Sequence, residues 1–176
     1  KPGEFNYGSS GVGTNTHLSG ELFNQMAGTK MIHIPYKGSG PVTTDLLAGR
    51  VQLSFQVPIT VISFVSAGRL RALAMSGEGR LPAMPTVPTF TEAGMKGFGL
   101  TSVTGLVTPA KVPRAIINKI NTEVNAVLAL PATTEFMAKQ GAEPFTSTPE
   151  QAAAVIREEL ARYAKIIKTG GIVYKP

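Results

Sequence analysis

Short apolar stretches alternate with helix-forming stretches along the first part of this chain, and glycine stands at most of the junctions. Such alternation is typical of strands and helices that follow one another in an α/β fold with a largely parallel sheet. Glycine ends a helix well because it adopts the left-handed conformation that closes the last turn. The pattern predicts strands at Phe5–Tyr7, Met31–Ile34, Val51–Phe55 and Leu70–Met75, two helices that end at Gly28 and Gly49, and a helix over Ile59–Ala67 before Gly68.

The alternation ends in a segment rich in proline and glycine, residues 76–99, which is predicted to be loop apart from a short turn. That turn begins at Thr89, because Glu92 three residues later completes a capping box. A strand over Leu100–Thr108 is expected to cross from one domain to another. Helices are predicted over Pro113–Leu130, Ala132–Gln140 and Thr148 to near Gly170, and the domain boundary is placed near residue 104.

Length and charge limit the possible functions. A chain of 176 residues fits one domain, or one domain with part of another. The net charge is +6, but residues 1–110 hold 8 Lys/Arg against 5 Asp/Glu and residues 111–176 hold 9 against 6, so the charge is evenly spread. A nucleic-acid-binding surface concentrates its basic residues, so nucleic acid is not the expected partner. Cysteine is absent, which excludes disulfides and cysteine chemistry.

The stretch YGSSGVGTNTHLSG, residues 7–20, resembles a phosphate-binding loop but lacks the key residues of one. Gly8 and Gly13 have the Walker A spacing, yet Thr14 stands where the lysine is needed, and Thr16 stands where a dinucleotide loop needs its third glycine. Glycines, hydroxyls and a helix N-terminus still form a good environment for an anion. The sequence leaves two readings open: a carboxylate or other anion site, or a turn that only caps its own helix.

The remaining polar residues favour binding over catalysis. His17 is a candidate general base or ligand-facing donor, but the favoured interpretation is a histidine fixed near the helix start by local hydrogen bonds; His33 is interpreted as structural. Tyr36, Lys37 and Gln56 follow predicted strands, at the edge where ligands of α/β folds collect. No serine nucleophile motif, paired carboxylates or metal-binding cluster stands in the sequence. We therefore predict no catalytic residues, no metal site and no cofactor.

Several stretches, in this order, resemble the solute receptors of tripartite tricarboxylate transporters, the Bug family. They are YGSSGVGTNTHLSGELF, IPYKGSGPVTTDLLAGRVQLSF, SAGRLRALAMSG, PTVPTFTEAG and STPEQAAAVIREELARYAKIIK. The resemblance implies a type II periplasmic-binding-protein-like α/β fold, a periplasmic location, a small carboxylate solute and membrane permease subunits as partners. It implies no catalysis and no cofactor.

The resemblance also implies a division of the chain and a set of ligand residues. Residues 1–103 correspond to the family's complete second domain, and residues 104–176 to the mainly helical part of an incomplete first domain. The family's N-terminal segment has no counterpart here, so the incomplete domain is expected to expose apolar surface and to self-associate. The predicted ligand-binding residues are Ser9, Ser10, Gly11, Val12, Gly13, Thr14, His17, Tyr36, Lys37 and Gln56.

One departure from the family bears on the solute. Many relatives carry an acidic residue after the strand that matches Val51–Phe55, and this chain has Gln56 there. An amide does not attract a cation as a carboxylate does, so a solute with an amino group is not expected. The identity of the solute stays open.

Overall fold

A small parallel sheet forms the centre of the first part of the molecule. The computed structural model describes residues 3–100 and 102–170. Its strands are β1, Asn6–Ser9; β2, Ile32–Pro35; and β3, Leu53–Ser54. They are parallel in the order β2-β1-β3, with Tyr7 opposite both His33 and Leu53. The α/β class with a parallel sheet, predicted from the alternating pattern, is confirmed.

Helices connect these strands and mostly end where glycine predicts. Helix α1 spans Asn15–Ala27, and Gly28 closes it in the left-handed conformation with φ 64°. Helix α2 spans Ser39–Leu47. The single helix expected over Ile59–Ala67 is wrong, because a 3-10 turn at Pro58–Thr60 and a short helix α3 at Ile62–Ser66 replace it. Val61 interrupts the two with φ −132°, in a run of β-branched residues that have low helix propensity.

Three strand predictions fail in whole or in part. The strand expected over Val51–Phe55 contracts to β3. The strand expected over Leu70–Met75 is reduced to one parallel bridge between Met75 and Thr89. The strand expected over Leu100–Thr108 does not form in its described part, residues 100 and 102–108, and residue 101 lies outside the described residues. An apolar run becomes a strand only where a neighbouring strand supplies hydrogen-bond partners, and periodicity does not report that.

The last part of the described chain is helical, as predicted. It contains α4, Arg114–Leu128; α5, Pro131–Lys139; and α6, Pro149–Gly170. The start of α6 is a capping box, since the Thr148 N–H donates to Gln151 Oε1 at 2.8 Å and the Gln151 N–H donates to Thr148 Oγ1 at 3.2 Å. Thr89 and Glu92 form the same reciprocal pair at 2.7 and 3.1 Å. The capping box predicted at Thr89 is confirmed, and the helix start predicted at Thr148 has the same motif.

The core lies around β1 and on the outer face of α1. Tyr7 and Val42 are fully buried, and Val51 is nearly so. On the other side of α1, a second cluster joins Leu18 and Leu100 to Ile166 of α6. Helix α6 thus packs against α1 and also contacts α4. The domain boundary near residue 104 stays a prediction.

Candidate functional site

The predicted anion loop lies between the central strand β1 and the N-terminus of α1. Gly11 and Gly13 have φ values of 144° and 78°, which side chains other than glycine rarely adopt. Val12 and Gly13 are exposed at the tip of the loop. The α1 N-terminus and the carboxyl end of the central strand therefore meet at an accessible loop, the arrangement in which α/β folds bind anions.

Gly8 has a different role from the one assigned to it by the sequence. It lies in β1 with no positive φ, and a Cβ atom added to it would stand 2.9 Å from Val42 Cγ1. Glycine is needed there because Val42, Tyr36 and Val51 pack against the strand. Gly8 is therefore a packing glycine, a role that its spacing to Gly13 did not predict.

Three hydroxyl groups gather at the start of α1. Thr16 Oγ1 lies 2.9 Å from Ser10 Oγ and 3.0 Å from Thr14 Oγ1, and it accepts a hydrogen bond from the Ser10 N–H at 2.9 Å. Thr14 Oγ1 donates to the Gly11 carbonyl at 2.7 Å and caps the helix by accepting from the His17 N–H. Thr16 is absent from the predicted ligand set, although it holds Ser10 and Thr14 together. Its place in a run of hydroxyls at a helix start was the available signal.

Most backbone N–H groups of the loop already have partners within it. The Gly11 N–H donates to Ser9 Oγ at 3.2 Å, and the Gly13 N–H donates to His17 Nδ1 at 3.0 Å. Among the hydrogen bonds of residues 3–100 and 102–170, none uses the Val12 N–H. Val12 is also 40% exposed. The N–H group at the loop tip is therefore the one best placed to meet a ligand.

Two histidines lie under the loop. His17 is 6% exposed, and its ring stacks on that of His33 with centroids 3.9 Å apart. His33 Nε2 and Ser9 Oγ are 2.6 Å apart. Burial, followed by the proximity of His17, lowers the pKa of His33 to about 4. Burial also lowers the pKa of His17, against the opposing effect of Glu21.

The second predicted ligand segment lies beside the first. The Tyr36 N–H donates to the Ser9 carbonyl and the Gly38 N–H to the Ser10 carbonyl, each at 3.0 Å, so the ends of β1 and β2 are joined. The Tyr36 hydroxyl donates to Asp45 at 2.7 Å, and Asp45 also pairs with Arg50 at 2.6 Å. Those two hydrogen bonds hold the pKa of Asp45 below its usual range. The phenol is thus committed to Asp45, whereas Lys37 is exposed.

Gln56 stands at the third strand end. Its Nε2 donates to Ser54 Oγ at 3.1 Å, and the Ser54 hydroxyl donates to the Gly8 carbonyl at 2.7 Å. Its Oε1 accepts from the Thr60 hydroxyl at 3.4 Å. The structure therefore brings the ends of all three strands to one edge of the sheet, as predicted. Ligand contact by any of these residues stays a prediction.

Other features of the surface offer less. A cavity of about 270 Å³ lies between α2 and the 3-10 turn, and one of about 490 Å³ lies beside Met26 and Met95; neither includes the loop. Among residues 3–100 and 102–170, no three His, Asp or Glu side chains cluster closely enough to hold a metal ion. None of the helices described is both long and apolar enough to span a bilayer.

Comparison with known proteins identifies the class. The family model for the tripartite tricarboxylate transporter family receptor matches residues 1–172. The chain belongs to this receptor family. Among its relatives, BugT of Bordetella pertussis is 34% identical over 175 residues, which are 99% of this chain and 54% of BugT. The chain spans about half the length of most of the relatives it matches.

Solved structures share the fold. Rpa4515 of R. palustris, solved with adipate, superposes with a TM-score of 0.93 at 36% identity, covering 98% of this chain and 58% of that one. MatC of Rhodopseudomonas palustris, solved with bound malate, gives a TM-score of 0.79 at 26% identity, covering 94% and 57%. The Bug-type periplasmic-binding fold inferred from the sequence is confirmed.

Proposed function

We propose that this chain is the solute-binding receptor of a tripartite tricarboxylate transporter, or part of one, and that it captures a small carboxylate in the periplasm. In this role it delivers the solute to a membrane permease and does not change it chemically. The observation that carries the proposal is the exposed loop at the junction of β1 and α1 in a chain of this receptor family. The adipate and malate bound by two structural neighbours support a carboxylate as ligand.

In the proposed site, the carboxylate lies against the loop tip. The Val12 N–H donates to it, the Ser10 and Thr14 hydroxyls support it, and the N-terminus of α1 adds partial positive charge. Tyr36, Lys37 and Gln56 border the same edge, where Lys37 attracts the anion and Gln56 disfavours an amino group on the solute. Charge-assisted hydrogen bonds contribute about 1.5–3 kcal/mol each, so a few contacts suffice for binding from one side.

Catalysis is not supported by the arrangement of nucleophiles and bases. A Ser–His contact does exist, since Ser9 Oγ lies 2.6 Å from His33 Nε2. However, Ser9 is 0% exposed, so its hydroxyl has no access to a substrate. The pair stabilises the loop instead of acting on a ligand. Conversion of any acid by the purified chain would contradict this part of the proposal.

A calorimetric titration series tests the carboxylate site. Adipate, malate and a tricarboxylate are titrated into the wild type and into Gly13→Val and Thr14→Ala, with Thr44→Ala on α2 as a matched control. Loss of one hydroxyl contact should weaken binding roughly tenfold to a hundredfold, because 1.4 kcal/mol corresponds to a factor of ten. Gly13→Val should be worse, since φ is 78° at that position. Equal affinity in all four proteins would show that the loop is only a turn.

A non-transport role as an interaction module is the second candidate, and the exposed apolar residues favour it. Leu106 and Val107 are 75% and 79% exposed, and Phe136 and Leu160 exceed 60%. Where such side chains form a contiguous patch, they mark a contact with another protein. In this reading the chain also self-associates through residues 104–176. Sedimentation of a single monomeric species at high concentration would count against self-association, and a Leu106→Ser variant should dissociate further than the wild type.

A further inference from the structure

The chain has two histidines, and they meet beneath the carboxylate loop, defined here as residues 10–14. His17 comes from α1 and His33 from β2, and their ring planes are only 13° from parallel with centroids 3.9 Å apart. The His33 ring also stacks on Tyr7, with centroids 5.0 Å apart. These rings therefore form a continuous stack between the sheet and the helix start.

Each ring of the pair holds one backbone amide of the loop. His17 Nδ1 accepts directly from the Gly13 N–H at 3.0 Å. His33 Nε2 lies 2.6 Å from Ser9 Oγ, and that oxygen accepts from the Gly11 N–H at 3.2 Å. Gly11 and Gly13 flank Val12, whose N–H is unused in the loop. The stack thus fixes both neighbours of the proposed ligand-binding amide.

The geometry requires an uncharged His17 and disfavours a charge on both rings at once. A nitrogen that accepts a hydrogen bond carries no proton, so His17 Nδ1 is unprotonated while it binds Gly13. Two stacked imidazolium rings at this distance would repel each other strongly. The groups facing the pair are Glu21 and Tyr7, and the Tyr7 hydroxyl donates to Glu21 at 2.5 Å. Phe55 adds an apolar edge at 6.1 Å from Tyr7. The lowered pKa values of both histidines agree with this arrangement.

We propose that the His17–His33 stack is a positioning device for the carboxylate loop, which holds Gly11 and Gly13 in place while it is neutral and releases them when it takes up a proton. Carboxylate affinity then falls on acidification, although neither ring needs to touch the solute. His33 is a positioning residue outside the predicted ligand set. The inference rests on the proposed carboxylate site, but its effect on loop shape is separable from ligand binding.

Proton NMR of the unmodified protein tests both parts. Because there are two histidines, their ring signals are readily followed from pH 8 to 3, a range that includes the midpoint of His33, together with the Gly13 amide signal. In the absence of a carboxylate ligand, the Gly13 amide signal should shift with pH at the same midpoint as the His17 ring signals. Saturation with adipate should then lower the midpoints of both rings, because a proton that weakens ligand binding is itself bound less tightly in the complex.

The outcomes separate the two proposals. One outcome is that the Gly13 amide signal titrates with the His17 ring while adipate, malate and the tricarboxylate all fail to bind. In that case the proposed carboxylate function is wrong, and the inference that the histidine pair holds the loop in shape stands. If adipate binds and leaves both midpoints unchanged, the positioning inference is wrong. A rise of the midpoints on binding would also overturn it, since protonation of the pair would then strengthen ligand binding and not weaken it.

Two variants separate stacking from hydrogen bonding. His33→Phe keeps a ring against His17 and removes the contact with Ser9, whereas His33→Gln keeps a polar group and removes the ring stack. Each should weaken adipate binding at pH 7.5 by roughly tenfold, the loss expected for one hydrogen bond or ring contact. Ionisation of adipate affects the Kd of the variant and of the wild type equally, so it cancels in the ratio of the two. This ratio should decrease as the pH falls. Ile32→Ala, on the same strand, should leave binding and its pH dependence unchanged; if it matches the His33 variants, the effect is not specific to the histidine pair.

Discussion

The two parts of the chain bury their apolar residues to very different extents. In the first part, the sheet residues Tyr7 and Ser9 are 0% exposed, and Val42 and Val51 are buried at 0% and 2%. In the second part, α4 and α5 contain no buried residue. Both regions have the periodicity of stable helices and strands, but only the first has layers on both sides of its apolar surface. The pattern of apolar residues in a sequence therefore does not show whether those residues are buried in a complete hydrophobic core.

The region that links the two parts is the contact between α1 and α6. Leu18 and Ile166 are buried there at 3% and 6% exposure, with Leu100 between them. The Asn15 side chain donates to the Tyr163 hydroxyl at 3.1 Å. Helix α6 is thereby fixed to the sheet-containing part, whereas α4 contacts α6 and α5 contacts α4. We therefore expect local stability to decrease from the sheet-containing part through α6 to α4 and α5.

The largest effect is expected from Gly20→Ala in the first part. A Cβ atom there would stand 2.1 Å from the ring of Tyr7, which is fully buried and has no room to move. Overpacking of this severity should cost about 3 kcal/mol or more of unfolding free energy. Gly40→Ala on α2 is the matched control, because nothing lies within 4 Å of its added Cβ. Chemical denaturation should show a large loss for the first variant and none for the second; equal midpoints would disprove the tight contact.

The second-largest difference in unfolding free energy is expected from truncating one leucine in each part of the chain. Leu18→Ala removes buried contacts at the α1–α6 junction and should cost about 2–4 kcal/mol. Leu106→Ala removes a side chain that is 75% exposed, and its cost should stay within about 0.5 kcal/mol. Urea unfolding curves of both variants check the difference. A large loss for Leu106→Ala would mean that another copy or chain covers residues 102–108 in solution.

Low pH should decrease the unfolding free energy through the titration of His33, which lies in the first part of the chain. Its pKa is about 4 in the folded protein against 6.5 as the ordinary value, so between these values the unfolded chain takes up a proton that the folded one refuses. Stability therefore falls as the pH is lowered from 6.5 to about 4. Since the ring is only partly buried, we expect about 1–2 kcal/mol, less than the full shift implies.

The matching measurement is the unfolding free energy of the wild type and of His33→Gln at pH 7.5 and 4.5. Carboxylates such as Asp45 contribute equally to both proteins and cancel in the difference. The variant should lose less stability on acidification than the wild type. Parallel pH profiles would show that His33 titrates normally in the folded state.

The smallest effect is expected at the polar edge of the α1–α6 contact. Tyr163→Phe removes the hydroxyl that accepts from Asn15 and should cost about 1 kcal/mol, the usual net value of a hydrogen bond. Hydrogen exchange should then increase in α6 before it increases in β1. Uniform acceleration over both elements would indicate that the two parts unfold as one unit.

Local features of the structure could be predicted from the sequence because they depend on residues a few positions apart. Gly28 as the end of α1 and the reciprocal bonds of Thr89–Glu92 and Thr148–Gln151 are of this kind. The errors concern elements that need distant partners. Leu70–Met75 and the described part of Leu100–Thr108 have strand-like composition, but no neighbouring strand takes up their backbone groups along their length.

By itself, the sequence determined the parallel α/β class, the glycine-ended helices, the family resemblance and the position of the loop before α1. Only the tertiary structure decided that Gly8 and Gly20 are packing glycines, that Val12 offers the unused amide, and that His17 stacks on His33. The physical reason is separation along the chain. Helix caps and turns are set by hydrogen bonds within a few residues, whereas the approach of α1 to β2 depends on how the whole sheet and its helices pack.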